Sequence, residues 1–138
     1  MKLVLDASVA AKILLPEADS ARAEALMRDF QNKVHELIAP DILPVEIGHT
    51  LTRAERIGTL KQGEAIQKLT QFLLVRPPLF PYLPLLPRAV ELSSKARIGV
   101  YDAIYCALCE QEQCELVTTD QKLIRNLPGF PIRDLATI

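Results

Sequence analysis

The sequence predicts an α/β fold in which a parallel sheet is covered by helices on both faces. Three observations predict it. Short apolar runs of strand length alternate with stretches of helical periodicity, no close hairpin signal joins those runs, and two of them end at an aspartate, Asp6 and Asp120. Parallel neighbours need a crossover of a dozen or more residues, and the helical stretches between the runs supply it.

The elements follow in order. Leu3-Val4-Leu5 is apolar with a β-branched centre and stops at Asp6, where Ser8 and the run Val9 to Leu15 begin a helix. Pro16 breaks that helix, and Asp19 or Ser20 is placed to cap a second one carrying Ala23, Leu26, Met27 and Phe30 at helical spacing. Glu36-Leu37-Ile38-Ala39 reads as the next strand. Ile42, Val45, Ile47 and Leu51 then fit a helix that Gly58 can end, and another runs from Lys61 through Ile66, Leu69, Phe72 and Leu73. Residues 77 to 87 are rich in proline, with P-x-x-P spacings that a polyproline ligand would share. Their intervening residues are nearly all apolar, which favours a short buried strand near Tyr82-Leu83, with Pro84 or Pro87 in the first turn of a helix carrying Val90, Leu92 and Ala96. Asp102 is placed to cap the helix that begins Ala103-Ile104-Tyr105. The strand Glu115 to Thr119 runs out at Asp120 before a short helix with Leu123, and Pro131-Ile132-Arg133 is a last strand candidate.

A chain of 138 residues has the size of one domain, and no repeat or linker divides it, so residues 1–138 are expected to form a single domain. With 49% hydrophobic and 24% charged residues, neither a disordered chain nor a disulfide-stapled miniature fits. The first residues reach a carboxylate after three apolar positions, too early for a signal-peptide core, and no apolar run approaches the roughly 18 residues of a membrane span. A cytoplasmic location is the expectation. Cys106, Cys109 and Cys114 form an odd set in or just after one apolar helix, which suits reduced, buried thiols better than a zinc site lacking a fourth ligand. The net charge of −1 argues against a generally basic nucleic-acid binder but leaves room for a basic patch beside an acidic pocket, so net charge does not decide the question.

The chemistry rests on carboxylates. Open parallel sheets place functional groups at the carboxyl ends of their strands, where Asp6 and Asp120 stand. Asp102 at a helix start and Glu46 in a helix's first turns can join them. Four converging carboxylates repel one another unless a cation intervenes, and as hard oxygen ligands they suit Mg²⁺ or Mn²⁺. Two such ions about 4 Å apart can activate water and stabilise the leaving oxygen of a phosphodiester. Each acid also has a plainer role: Asp6, Asp102 and Asp120 as helix caps, Glu46 as a solvent-facing residue.

Taken together the motifs resemble the PIN-domain ribonucleases, in particular the VapC-type toxins of toxin–antitoxin pairs. Leu5-Asp6-Ala7-Ser8-Val9 with Lys12 and Leu15-Pro16-Glu17 is similar to the family's opening motif. Ala39-Pro40-Asp41-Ile42-Leu43 with Glu46 resembles its second, Tyr101-Asp102-Ala103-Ile104-Tyr105 its third, and Leu116-Val117-Thr118-Thr119-Asp120 its fourth. The resemblance implies a three-layer α/β/α sandwich with a central parallel sheet, metal-dependent endonucleolytic cleavage of RNA, and a site in which Asp6, Glu46, Asp102 and Asp120 hold Mg²⁺ or Mn²⁺. It also implies a homodimer and a small antitoxin partner seated in a groove beside the site, for which the helices of residues 20 to 74 are candidates. Ser8, Thr118 and Thr119 are placed to hydrogen-bond the carboxylates or metal-bound water, with turn formation or capping as their other role.

Phosphates on an RNA path need cations, for which Lys12, Arg53, Arg56, Lys95, Arg97 and Lys122 are candidates, although solubility also accounts for surface charge. No aromatic stripe for stacking bases is evident. Glu46 and His49 have the E-x-x-H spacing of half a di-iron site, but a second copy is absent, leaving His49 as a surface or groove residue. Two alternatives stay open: a non-catalytic RNA- or protein-binding domain of the same fold, and an RNA-processing nuclease outside toxin–antitoxin systems.

Overall fold

The central strand β1 (Lys2–Leu5) is apolar at every position after the first, and Leu3, Val4 and Leu5 are fully buried. Such a strand must be covered on both faces. In the computed structural model, which describes all 138 residues, it is. Four further strands, β2 (Glu36–Pro40), β3 (Leu79–Phe80), β4 (Glu115–Thr118) and β5 (Ile132–Asp134), complete a parallel sheet in the order β3-β2-β1-β4-β5. Seven helices connect them: α1 (Ala7–Leu14), α2 (Ser20–Gln31), α3 (Leu43–Arg56), α4 (Glu64–Val75), α5 (Leu86–Ala96), α6 (Val100–Glu112) and α7 (Gln121–Asn126). The chain builds outward from β1 through β2 to β3, then returns across the sheet to β4 and β5. Right-handed crossovers therefore send α1–α4 to one face and α5–α7 to the other. α6 packs on β1, β2 and β4 with α5 against it, while α1 touches β4, α2 and α3. This is the three-layer α/β/α sandwich expected from the sequence.

The reversal of direction between β1 and β4 creates a crevice at their carboxyl ends, the place where open α/β sheets bind ligands. The register fixes what meets there. Leu5 pairs with Val117, and the next amide, that of Asp6, donates to the Val117 carbonyl at 3.2 Å. Asp6 and Thr118 thus arrive side by side.

Several local expectations are corrected. The third strand lies at Leu79–Phe80, upstream of Tyr82-Leu83, which instead lead into a 3₁₀ turn at Leu83–Leu85. As an edge strand, β3 uses carbonyls: those of Pro78 and Phe80 accept from the Ala39 and Asp41 amides, so the missing N–H groups of Pro78 and Pro81 cost nothing. Neither Asp19 nor Ser20 caps α2 through its side chain. Asp19 is left-handed (φ 68°), and the Ser20 hydroxyl bonds the Leu15 carbonyl and the Glu17 amide. Helix α3 buries Leu43, Ile47, Leu51 and Ala54, which leaves Val45 74% exposed rather than in the core. On α4 and α5, Ile66 and Val90 are exposed, with Ala65, Phe72, Ala89 and Leu92 turned inward. Asp102 does not cap α6, because the helix begins three residues earlier behind Gly99. Cys106 and Cys109 are buried free thiols in the seven-residue buried run of α6.

Candidate active site

Asp6 is 4% exposed, a carboxylate that burial should penalise severely unless it is hydrogen-bonded. The Ser8 and Thr118 hydroxyls both donate to its Oδ2, at 2.6 and 2.7 Å. Each hydroxyl is itself oriented by the backbone after β4: the Thr119 amide donates to Ser8 Oγ at 3.1 Å and the Asp120 amide to Thr118 Oγ1 at 3.0 Å. The two hydroxyl oxygens stand 3.2 Å apart, but with both protons committed to Asp6 this is proximity rather than a bond. Asp6 therefore does not cap α1 with its side chain. Its carbonyl starts the helix instead, accepting from Val9 and Ala10. Thr119 contributes only its backbone amide to this network.

Asp120 sits two residues past β4 and does cap α7, its Oδ1 accepting from the Lys122 and Leu123 amides at 3.0 and 3.2 Å. Asp102 occupies the first turn of α6, where the helix dipole favours an anion. Glu46 occupies the first turn of α3, and its Oε1 accepts from the Tyr105 hydroxyl at 2.7 Å. A pattern emerges among three of the acids: the bonds to Asp6, Glu46 and Asp120 each engage a single carboxylate oxygen, leaving the other without such a donor.

Electrostatics tie the four into one cluster. Burial raises the Asp6 carboxyl above its usual range against the opposing effect of the two hydroxyls, and the Asp120 charge adds to the rise. Burial, then the charges of Asp6 and Asp102, push Glu46 up to about 7, although the Tyr105 bond pulls the other way. Burial and the charges of Asp6 and Asp120 push Asp102 up to about 6, with Lys122 opposing. These are like charges at close quarters with little water to screen them.

As the side chains stand, no group of three or more His, Cys, Asp and Glu residues forms a ready-made metal cage. The donor chemistry nevertheless fits a hard cation. All four are oxygen acids, three have one oxygen held and one spared, and their mutual repulsion is relieved by positive charge.

Among the basic candidates, Lys122 is near enough for its charge to oppose the rise at Asp102. Lys12 is half-buried and pairs with Glu17 at 3.1 Å. Arg53 and Arg56 are exposed in the last turn of α3, about 10 and 15 Å along that helix from Glu46. Lys95 and Arg97 are exposed where α5 ends, and the Arg97 carbonyl accepts from Asn126 at the end of α7.

Beside the acids lies a cleft of about 530 Å³ lined by Ala7, Ser8, Ala11, Val45, Glu46, His49, Thr50 and Tyr101. A second, of about 480 Å³ and more apolar, adjoins it through Val45, Glu46 and Tyr101. His49 is thus a groove residue. Sequence spacing alone assigns no role to Tyr105 or to Tyr101, which is 64% exposed and lines both clefts. A signal was present for Tyr105: it follows Asp102 by three residues, on the same helical face, and a buried phenol needs a partner.

Comparison with known proteins identifies the family. The profile described as PIN domain matches residues 3–127. Ribonuclease VapC3 of Pyrobaculum aerophilum is 34% identical over 133 residues, 94% of this chain and 98% of that one. Ribonuclease VapC9 of Mycobacterium tuberculosis is 31% identical over 124 residues, 88% of this chain and 87% of its own length. Among solved structures, PAE2754 from Pyrobaculum aerophilum superposes with a TM-score of 0.75 at 21% identity, covering 99% of this chain and 85% of that one. VapBC2 from Rickettsia felis, bound to a DNA fragment from its promoter, gives 0.66 at 16% identity over 97% and 98%. VapC20 of Mycobacterium tuberculosis, named as a sarcin–ricin loop cleaving toxin, gives 0.65 at 16% over 93% and 95%. At those identities the structures speak for the fold alone, and the profile and the relatives carry the assignment: the chain belongs to the PIN-domain family.

Proposed function

We propose that this chain is an endoribonuclease that hydrolyses RNA phosphodiester bonds as the toxin of a toxin–antitoxin pair, with Mg²⁺ or Mn²⁺ held by Asp6, Glu46, Asp102 and Asp120. The observation that carries the reading is the gathering of these four acids at the crevice between β1 and β4, two with carboxyls pushed up to about 6 and 7 by burial and by one another. Relatives named as VapC ribonucleases over nearly the full length support the activity. A small antitoxin partner is inferred from membership of the family, among whose fold relatives is the two-component VapBC2 assembly.

When bound by these acids, Mg²⁺ or Mn²⁺ would neutralise their charge and activate water for attack at phosphorus. The chain's own residues prepare for it. Ser8 and Thr118 hold Asp6 through Oδ2, leaving Oδ1 for a ligand. The cap of α7 fixes Asp120 through Oδ1, and Tyr105 fixes Glu46 through Oε1. The clefts beside Glu46 give room for the nucleotides flanking the cut, and Lys122 near Asp102, with Arg53 and Arg56 further along α3, are the cations this reading assigns to phosphates. On α4, Ile66, Leu73 and Leu74 expose apolar surface within residues 20 to 74, the region expected to offer the antitoxin its groove.

The test incubates the purified protein with structured and unstructured RNAs in Mn²⁺, Mg²⁺ or chelator, beside Asp102→Asn. Metal-dependent cleavage that the variant loses supports the reading. Tight RNA binding without any cleavage, after any antitoxin has been stripped away, replaces it with a binding domain. Light scattering of the free protein decides the homodimer, and co-purification with the product of an adjacent short reading frame decides the antitoxin.

A further inference from the structure

The buried residue of the site that has no part in the four acidic motifs' ligand chemistry is Tyr105. Its side chain is fully buried in the middle of α6, where a phenylalanine would satisfy packing alone. A hydroxyl placed there must find a partner, and it finds one atom, Glu46 Oε1, at 2.7 Å. That bond is the only side-chain hydrogen bond Glu46 makes. It also spans elements: Glu46 is on α3, whereas Tyr105 is on α6 one turn beyond Asp102. Without it, a flexible glutamate in the first turn of α3 has no tether holding it beside Asp6 and Asp102, whose charges repel it.

We propose that Tyr105 is a positioning residue, fixing Glu46 through Oε1 so that Oε2 is presented to the divalent cation together with Asp102 on the same face of α6. The inference rests on the metal-dependent nuclease reading. Phenol deprotonation is disfavoured by burial and by the Glu46 charge, so Tyr105 remains a donor across the working range. Its effect runs through Glu46 and not through contact with RNA, since the side chain has no exposed surface.

The experiment is a double-mutant cycle on the full chain, with Mn²⁺ binding read by electron paramagnetic resonance or calorimetry alongside single-strand RNA cleavage. Tyr105→Phe is expected to keep the fold, by circular dichroism in chelator, and to weaken Mn²⁺ binding by about tenfold or more, as loss of a group that orients a ligand does. Glu46→Gln weakens binding as well, and adding Tyr105→Phe to it is expected to weaken it little further, because the tyrosine then has no carboxylate to position. Unchanged Mn²⁺ affinity in Tyr105→Phe, or losses that simply add in the double variant, overturns the inference. If the unsubstituted protein neither binds Mn²⁺ nor cuts RNA, the nuclease reading falls and takes this one with it, an outcome distinct from a normal enzyme with an inert tyrosine. Should Tyr105→Phe not fold, the unsubstituted chain still decides. A slowly exchanging Tyr105 hydroxyl proton that shifts on Mg²⁺ titration and is lost in Glu46→Ala is expected, and one insensitive to Mg²⁺ refutes the role.

Discussion

Asp102 and Glu46 show what a like-charged cluster costs the residues that form it. Each is half-buried and each is pushed upward by burial first and neighbouring carboxylates second. Replacing one with its neutral amide should therefore help the metal-free fold while harming function. Asp102→Asn is expected to stabilise the chelated protein at pH 8 by about 1 kcal/mol once solvent screening at a half-exposed position is allowed for. It should also lower cleavage at least a hundredfold; urea denaturation and RNA cleavage assays on the same preparation check both. The opposite holds for the hydroxyls. Thr118→Val keeps the shape but removes a donor to Asp6, in a buried bond, and the acceptor for the Asp120 amide, in a part-buried one. A loss of about 1–3 kcal/mol in stability is expected, and equal denaturation midpoints for variant and parent would contradict it. At this scale the sequence was informative for Asp6, Ser8 and Thr118, because strand ends and motif positions place them. It was silent on the Tyr105–Glu46 bond, which joins residues 59 apart and depends on how α3 and α6 face each other.

Among elements, α7 is the one whose start doubles as a site. Asp120 caps it through Oδ1 and belongs to the acid cluster by position, so two roles are superposed on one side chain. They can be separated. Asparagine caps a helix about as well as aspartate, whereas alanine does not. Asp120→Asn is expected to retain stability within a few tenths of a kcal/mol and lose cleavage, while Asp120→Ala should lose cleavage and about 1 kcal/mol besides; thermal melts beside RNA assays distinguish them. The cap was legible because aspartate followed a strand and preceded an apolar helical run. Asp102 obeyed the same rule in sequence yet is not a cap, since Gly99-Val100-Tyr101 add a first turn that periodicity alone does not reveal. The buried face of α3 departs from the apolar periodicity for a related reason. Val45 is apolar but lines the cleft beside Glu46, and an open cleft breaks the rule that apolar residues point to the core. In the proline-rich stretch the strand was displaced because the edge position of β3, fixed by sheet order, allows prolines on either side.

For the whole molecule, the doubly wound order creates a crevice between β1 and β4 and fills it with negative charge, so stability, pH and metal should be linked. The sign follows from the shifts. Glu46 and Asp102 hold protons more tightly in the folded chain, at about 7 and about 6, than when unfolded at 4.5 and 3.8. Between those limits the native state binds more protons than the unfolded one, so stability is fully present below about pH 4 and declines as pH rises to about 7. Considering these groups alone, the chelated protein should melt a few °C lower at pH 8 than at pH 5. A cation competes with those protons and binds the folded state preferentially. At a concentration of one hundred times its dissociation constant it restores about 2.7 kcal/mol. Mn²⁺ should consequently raise the melting temperature strongly at pH 8 and weakly at pH 5, where protons already occupy much of the site. The contrast should shrink in Asp102→Asn, which removes one of the charges, and vanish in a variant lacking all four. Scanning calorimetry at the two pH values, with Mn²⁺ and with chelator, measures this directly. An equal Mn²⁺ effect at both would mean that the cation binds away from these acids and that their convergence has another purpose.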